Sequence, residues 1–310
     1  MENDIMTDIE MLKALEVPTG KIDVVLDTDT YNEIDDQFAV AYMLRSEEKL
    51  NCKAIYAAPF FNNKSTGPKD GMEKSYDELM KILTLCGRED MKANVYKGST
   101  AYLPDEKTFV ESAAARHLVS LASGYSRENP LYVVAIGAIT NVASAILMDK
   151  SILDKIVIVW LGGHALEWPN TREFNMFQDV AAARVVMLSG APFVQLPCMG
   201  VVSAFSVSQP ELEKWLVGKN PLADYLAKNT IAYEEGYQPG KPWSKTIWDV
   251  TAIGWLLNDN NRFMYERAIR CPIPEYDDKY AYNPDNHFIK YVWYIKRNDL
   301  LLDLFQKLTK

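Results

Sequence analysis

Six short apolar runs punctuate this sequence: IDVVL (22–26), AIYAA (54–58), ANVYK (93–97), LYVVAIG (131–137), KIVIVWLGG (155–163) and PFVQLP (192–197). Helix-length amphipathic segments separate them, at 35–45, 72–86, 110–123, 141–149 and 179–189. A strand that is apolar on both faces must be covered on both faces, and strands joined through helices pair in parallel. The pattern predicts an α/β fold built on an open, mostly parallel sheet with helices on both faces, Rossmann-like in layout. Residues 1–20 read as an N-terminal extension and 21–310 as a single domain. Beyond about residue 200 the alternation weakens. There YEEGYQPGKPWSK (233–245), rich in aromatics, Gly and Pro, reads as a long loop or lid.

In such sheets ligands bind beyond the carboxyl ends of the strands, and that is where this chain collects polar residues. The first run is followed by DTDTYNEIDDQFAV, which places Asp27, Asp29, Asp35 and Asp36 within ten positions. One or two acids would suit the positive end of the following helix, at ~0.3–1 kcal/mol each. Four need a stronger neutraliser. Asp27 and Asp29, two residues apart on a strand, share a face. Two more carboxylates from the next helix start complete an oxygen-rich cage of the kind that hard cations such as Ca²⁺ and Mg²⁺ occupy. PFFNN, GAITN and GGHALEWPNTREFN follow the second, fourth and fifth runs.

Composition narrows the partners. A net charge of −9 with no basic stripe argues against nucleic acid. Cys52, Cys86, Cys198 and Cys271 are far apart and form no CxxC, as expected of reduced, buried thiols. No run approaches the ~18 apolar residues of a membrane span, and the amino-terminal residues lack a signal-peptide pattern. A cytoplasmic protein without a membrane partner is expected.

Two enzyme classes share part of the aspartate motif. VVLDTDT matches the DxDxT of haloacid-dehalogenase-like phosphatases, in which Asp27 would be the nucleophile, Asp29 the acid/base and Mg²⁺ the neutraliser. That class also needs a late GDxxxD-like group after a strand, which PEYDDKYAYNPD (274–285) does not supply. The longer stretch DTDTYNEIDDQFAV resembles the DxDxGxDD signature of the nucleoside hydrolases. Three further segments match that family in order: IGAITNVASAI (136–146), EFNMFQDVAAA (173–183) and TIWDVTAIGWLL (246–257). Together these span residues 22 to 257.

The resemblance implies a Ca²⁺-dependent N-ribohydrolase that cleaves a nucleoside to free base and ribose, with a nucleoside hydrolase-like fold. It implies metal ligation by Asp29, Asp36, the Thr140 carbonyl and Asp249. Asp29 matches the general base that deprotonates the attacking water. Asp35, Glu173, Phe174 and Asn175 match ribose contacts, with Asn62 and Asn170 as further substrate-binding candidates; the match at Asn62 could shift onto Asn63. Taken singly, Thr140 would be a helix N-cap, Glu173 a surface charge and Asn175 a turn residue. A homo-oligomer, dimer or tetramer, is also implied.

This chain departs from the signature in three places. TYNEI inserts two residues between Asp29 and Asp35 and lacks the Pro-Gly. The segment before Glu173 is rearranged. Trp248 stands beside Asp249 where the inosine-uridine type has a His associated with leaving-group protonation. A Trp there resembles the purine-specific branch, in which stacking on the base favours its protonation, so Trp248 is assigned both a catalytic and a base-binding role and a purine preference is expected. Tyr31, Trp168, Trp243, Tyr233 and Tyr237 could add stacking area. Of the three histidines, His117 is expected on a helix surface, His287 has no role, and His164 could approach the site as an acid. A non-catalytic nucleoside-binding relative is the remaining alternative.

Overall fold

The computed structural model describes residues 6–310; the first five residues of the expected extension lie outside them. Helix α1 (Asp8–Ala14) opens the described chain, held by a capping box in which Thr7 and Glu10 exchange hydrogen bonds. Six strands then alternate with helices: β1 (Ile22–Thr28), α2 (Asp36–Leu44), β2 (Leu50–Ala57), α3 (Pro68–Leu85), β3 (Val95–Lys97), α4 (Ala113–Ala122), β4 (Leu131–Ala135), α5 (Thr140–Met148), β5 (Ile156–Leu161), α6 (Phe174–Gln178), α7 (Val180–Met187) and β6 (Phe193–Leu196). Helices α8 (Gln209–Trp215), α9 (Pro221–Tyr237) and α10 (Val250–Leu256) follow. Strands β7 (Met264–Arg270) and β8 (Phe288–Ile295) and helix α11 (Arg297–Leu308) end the chain.

The main sheet runs β3-β2-β1-β4-β5-β6-β8-β7. Every pair is parallel except β8 with β7. Alternate residues of its strands face two separate apolar cores. Val24, Leu26, Val159 and Leu161 pack with α2, α10 and α11 on one side; Val25, Val133, Ile158 and Trp160 pack with α4, α5 and α7 on the other. At ~25 cal/mol per Å² of apolar surface removed from water, these two layers are the main favourable term in folding. Every residue of α2 and of α10 is buried, and the two helices pack on one another.

Two expectations need correction, and two strands lie where the sequence pattern weakens. Strands β7 and β8 carry charges (MYERAIR and FIKYVWYI), so they lack the continuous apolar pattern of the other strands. The half-buried Lys290 ammonium of β8 pairs with Glu266 of β7 at 2.8 Å, which lets an edge pair carry them. Residues 233–237 are not loop: α9 runs through Tyr237, because Asn220 caps its start and Pro221 suits its first turn. His117 is half-buried, stacked on Tyr96 with ring centroids 4.0 Å apart and hydrogen-bonded to the Tyr56 hydroxyl at 2.9 Å. The four cysteines are free, and Cys86, Cys198 and Cys271 are buried. Among the described residues no helix is long and apolar enough to cross a membrane.

Candidate active site

The carboxyl edge of β1 and the starts of α2 and α10 meet in one place. Strand β1 ends at Thr28, the chain turns through a bond from the Asn32 N–H to the Asp29 carbonyl at 2.7 Å, and α2 starts at Asp36. From the other direction the Asp249 N–H, just before α10, donates to Asp35 Oδ2 at 3.3 Å. Carboxylate oxygens of Asp35, Asp36 and Asp249 lie within 4.8 Å of one another, all buried. Asp29 lines the same cavity but stands outside this closest group, and neither of its buried oxygens has a hydrogen-bond partner.

Burial is the largest influence on each acid. It raises Asp29 and Asp249 well above the usual carboxylate range, reinforced by repulsion from the neighbouring carboxylates. Asp36 is pushed up to about 7 by burial and by Asp35. Asp35 reaches only about 6, because Lys245 offsets its burial. Thr28 Oγ1 donates to Asp36 Oδ1 at 2.6 Å and fixes that carboxylate. Four buried acids around one cavity, two orphaned oxygens among them, suit a hard divalent cation.

Asp27 faces away from this group. Its Oδ1 accepts from Asn141 Nδ2 at 2.7 Å, and burial pushes the carboxyl up to about 7. Its role is to tie β1 to the start of α5. At that start Thr140 Oγ1 donates to Asp179 Oδ2 at 2.7 Å, while Asp179 also accepts from the N–H groups of Leu103 and Ala182. Thr140 is therefore the first residue of α5 and not its cap, which falls on Ile139. Asp179, unassigned from sequence, holds Thr140 in place.

Glu173 and Asn175 line the cavity from α6, and both are buried. The Glu173 carboxylate accepts from the N–H groups of Gly163, Asn175 and Met176 at 2.9–3.0 Å, and burial pushes it up to about 7. Asn175 Nδ2 donates to the Leu161 carbonyl at 3.0 Å. Neither is a surface charge nor a mere turn residue. Phe174 lines the cavity beside them.

Two substrate-binding candidates lie elsewhere. Asn62 does not line the cavity; its Nδ2 donates to Oδ1 of Asn32, which does, at 2.7 Å. Asn170 is exposed in a separate hollow with Trp168, where its Oδ1 accepts from the Arg172 N–H. The insertion TYNEI supplies the difference: it carries Asn32 and Glu33 to the cavity wall, and Glu33 pairs with the buried Lys245. No sequence signal marked Asn32, Glu33 or Lys245, because their partners lie 30 to 212 residues away. Trp248 is half-buried on the cavity wall. His164 also lines it, but its Nδ1 accepts from the Met199 N–H at 3.2 Å and burial lowers its basicity. Cys198 is a buried wall residue whose thiol burial keeps protonated.

Oxygen donors grouped against a small polar cavity at the strand ends, with an aromatic wall beside them, suit a hard cation next to a small polar ligand. The chain belongs to the inosine-uridine preferring nucleoside hydrolase family, whose model matches residues 24–282. It is 26% identical over 248 residues to the pyrimidine-specific ribonucleoside hydrolase RihA of Citrobacter koseri, covering 72% of this chain and 76% of that one. The RihA of Escherichia coli O1:K1 / APEC is likewise 26% identical, over 259 residues, 76% of this chain and 79% of that one. Among solved structures, the plant nucleoside hydrolase PpNRh1 aligns with a TM-score of 0.74 at 18% identity, covering 94% of this chain and 99% of that one. The purine-preferring ribonucleoside hydrolase from Gardnerella vaginalis aligns with the same TM-score and identity, over 93% and 98%. These likenesses establish the nucleoside hydrolase fold, and the family assignment makes the chain a ribonucleoside N-glycosidase and displaces the phosphatase alternative.

Proposed function

We propose that the chain hydrolyses purine ribonucleosides to free base and ribose in a Ca²⁺-dependent reaction. The observation that carries this reading is the pair of orphaned Asp29 oxygens, buried in one cavity with Asp35, Asp36, Asp249 and Trp248. Asp29, Asp36, Asp249 and the Thr140 carbonyl would hold the ion, with Asp35 within reach of the same group. When bound, the ion supplies positive charge that keeps these acids ionised, acidifies oxygen ligands and orients sugar hydroxyls.

The chain's own groups then divide the work. Asp29, ionised and without a hydrogen bond to give up, accepts a proton from the attacking water. Asp35, Glu173 and Asn175 bind ribose hydroxyls, and Phe174 covers one face of the sugar. The surrounding carboxylates favour the positive charge that develops on the ribosyl group as the C–N bond breaks. Trp248 lies against the base. An aromatic face favours the protonated, cationic form of a purine by ~0.5–2 kcal/mol, and a pyrimidine offers less surface and no N7.

The likeness to pyrimidine-specific relatives favours the competing outcome. A panel of inosine, guanosine, adenosine, uridine and cytidine, assayed for free base with Ca²⁺ and with chelator, separates the two. Purine release that chelation abolishes supports the proposal. Faster uridine or cytidine cleavage refutes the purine preference, undiminished activity in chelator refutes the metal assignment, and no base release from any substrate leaves a binding protein.

A further inference from the structure

Trp248 lines two neighbouring hollows, the acidic cavity and a second one outside it. The acidic cavity's volume of about 160 Å³ is below the ~300–1,000 Å³ of a typical small-molecule site. Glu33 and Trp248 also line an adjoining outer hollow of about 610 Å³, whose one further carboxylate is the buried Glu234. The inner part, lined by carboxylates, suits a polyhydroxylated sugar. The outer part differs in chemistry. Tyr233 and Tyr237 stack there with ring centroids 6.2 Å apart, and Lys64 and Lys245 reach in from opposite elements.

The two lysines are not equivalent. Lys245 is buried, paired with Glu33 and 4.0 Å from Asp35, so its charge serves the acidic cavity. Lys64 forms no ion pair among the described residues; its ammonium lies 4.8 Å from the centre of the Tyr233 ring. It is only partly exposed, and Glu33, Asp35, Asp36 and Lys245 act on it at longer range. A partly desolvated ammonium over an aromatic face, with donor capacity unused, is set to receive an acceptor.

We propose that the outer hollow is the leaving-group subsite and that Lys64 is a specificity-determining residue there, selecting bases that present a carbonyl oxygen or an anion. This rests on the nucleoside hydrolase reading above. An ammonium donates three hydrogen bonds and accepts none. It therefore matches the oxo edge of hypoxanthine-type bases and is mismatched to the exocyclic amino group of adenine, which has no carbonyl. A charged hydrogen bond of this kind corresponds to roughly a 10–100-fold preference.

The test compares inosine with adenosine on the metal-loaded wild type, Lys64→Met and Lys64→Arg, and titrates free hypoxanthine into each by calorimetry. Wild type favours inosine. Lys64→Met loses roughly 10–100-fold in kcat/KM for inosine and in hypoxanthine affinity, with less than about threefold change for adenosine. Lys64→Arg, which keeps the charge, retains the preference. Wild-type preference for adenosine, an unchanged inosine-to-adenosine ratio in Lys64→Met, or hypoxanthine binding that is absent or unaltered by the substitution overturns the assignment of Lys64 while leaving the hydrolase reading intact. Failure of the wild type to cleave either nucleoside overturns the purine preference instead, and the calorimetry still decides on Lys64.

Discussion

Asp36→Asn isolates the charge problem at the centre of the site. Asn has nearly the same shape, and its carbonyl oxygen can still accept from Thr28 Oγ1. In the metal-free protein the Asp36 carboxyl is held at about 7 against an ordinary value of 3.8. A folded-state pKa above the unfolded value means the fold prefers the protonated acid. The metal-free protein therefore loses stability as the pH rises from about 4 to about 7, and keeps that loss above. At 1.36 kcal/mol per pH unit the loss from this one group is roughly 4 kcal/mol at pH 8. Unfolding entropy of ~2.1 cal/mol/K per residue over 310 residues makes each kcal/mol worth roughly 1.5 °C, so Asp36→Asn should melt up to about 6 °C above wild type in chelator at pH 8. At pH 5 the difference should shrink. With Ca²⁺ at 100 times its Kd, wild type gains about 2.7 kcal/mol that the variant, lacking a ligand, does not. Calorimetric melts at both pH values, with chelator and with Ca²⁺, give all four numbers. A variant that melts below wild type in chelator at pH 8, or a difference unmoved by pH or by Ca²⁺, would refute the reasoning.

Asp29→Asn should lower nucleoside turnover by at least ~10²–10⁴-fold while the melting curve in chelator shows a folded protein; an active Asp29→Asn enzyme would transfer the base to another group. Asp27→Asn should leave the chemistry largely in place, because Asp27 contacts Asn141 and not the cavity, and abolished turnover in a stable Asp27→Asn variant would contradict that placement. Asp179→Ala removes the cap of α7 and orphans the Thr140 hydroxyl and the Leu103 N–H, for an expected loss of about 2–4 kcal/mol in urea unfolding together with weaker Ca²⁺ binding. Trp248→Ala should slow inosine hydrolysis far more than hydrolysis of a 4-nitrophenyl riboside, whose leaving group departs without protonation; equal losses would reduce Trp248 to packing.

The first two hundred residues were legible because both faces of their strands are buried, so each strand wrote itself as an unbroken apolar run. β7 and β8 were not, because an edge pair can place Glu266 and Lys290 against each other and still sit in the sheet. The acidic cluster was legible because Asp29, Asp35 and Asp36 are local in sequence and Asp249 sits at a matching helix start. What escaped was whatever depends on a loop's path. Asn62 and Asn170 were one contact or one hollow away from the cavity, since the TYNEI insertion put Asn32 where Asn62 was expected and the chain before Glu173 turns outward at Pro169–Asn170. Lys64 and Lys245 left no mark in the sequence, because a lysine's meaning here depends on whether a carboxylate faces it.

The pairing of α2 with α10, both buried along their whole length, also sets a schedule. The two helices are separated by more than two hundred residues of chain. At ~5–20 residues per second, a ribosome that has finished α2 needs roughly 10–40 s more to deliver α10. During that interval the sheet's first strands can pair, but α2 lacks the α10 layer, and the acids at its head have neither Asp249 beside them nor a closed cavity around them. The emerging chain therefore holds an apolar helix and a cluster of like charges in waiting. Assembly of the site is tied to the arrival of residue 249, so a chain interrupted before that point would present α2 to chaperones and proteases and not a partly working enzyme.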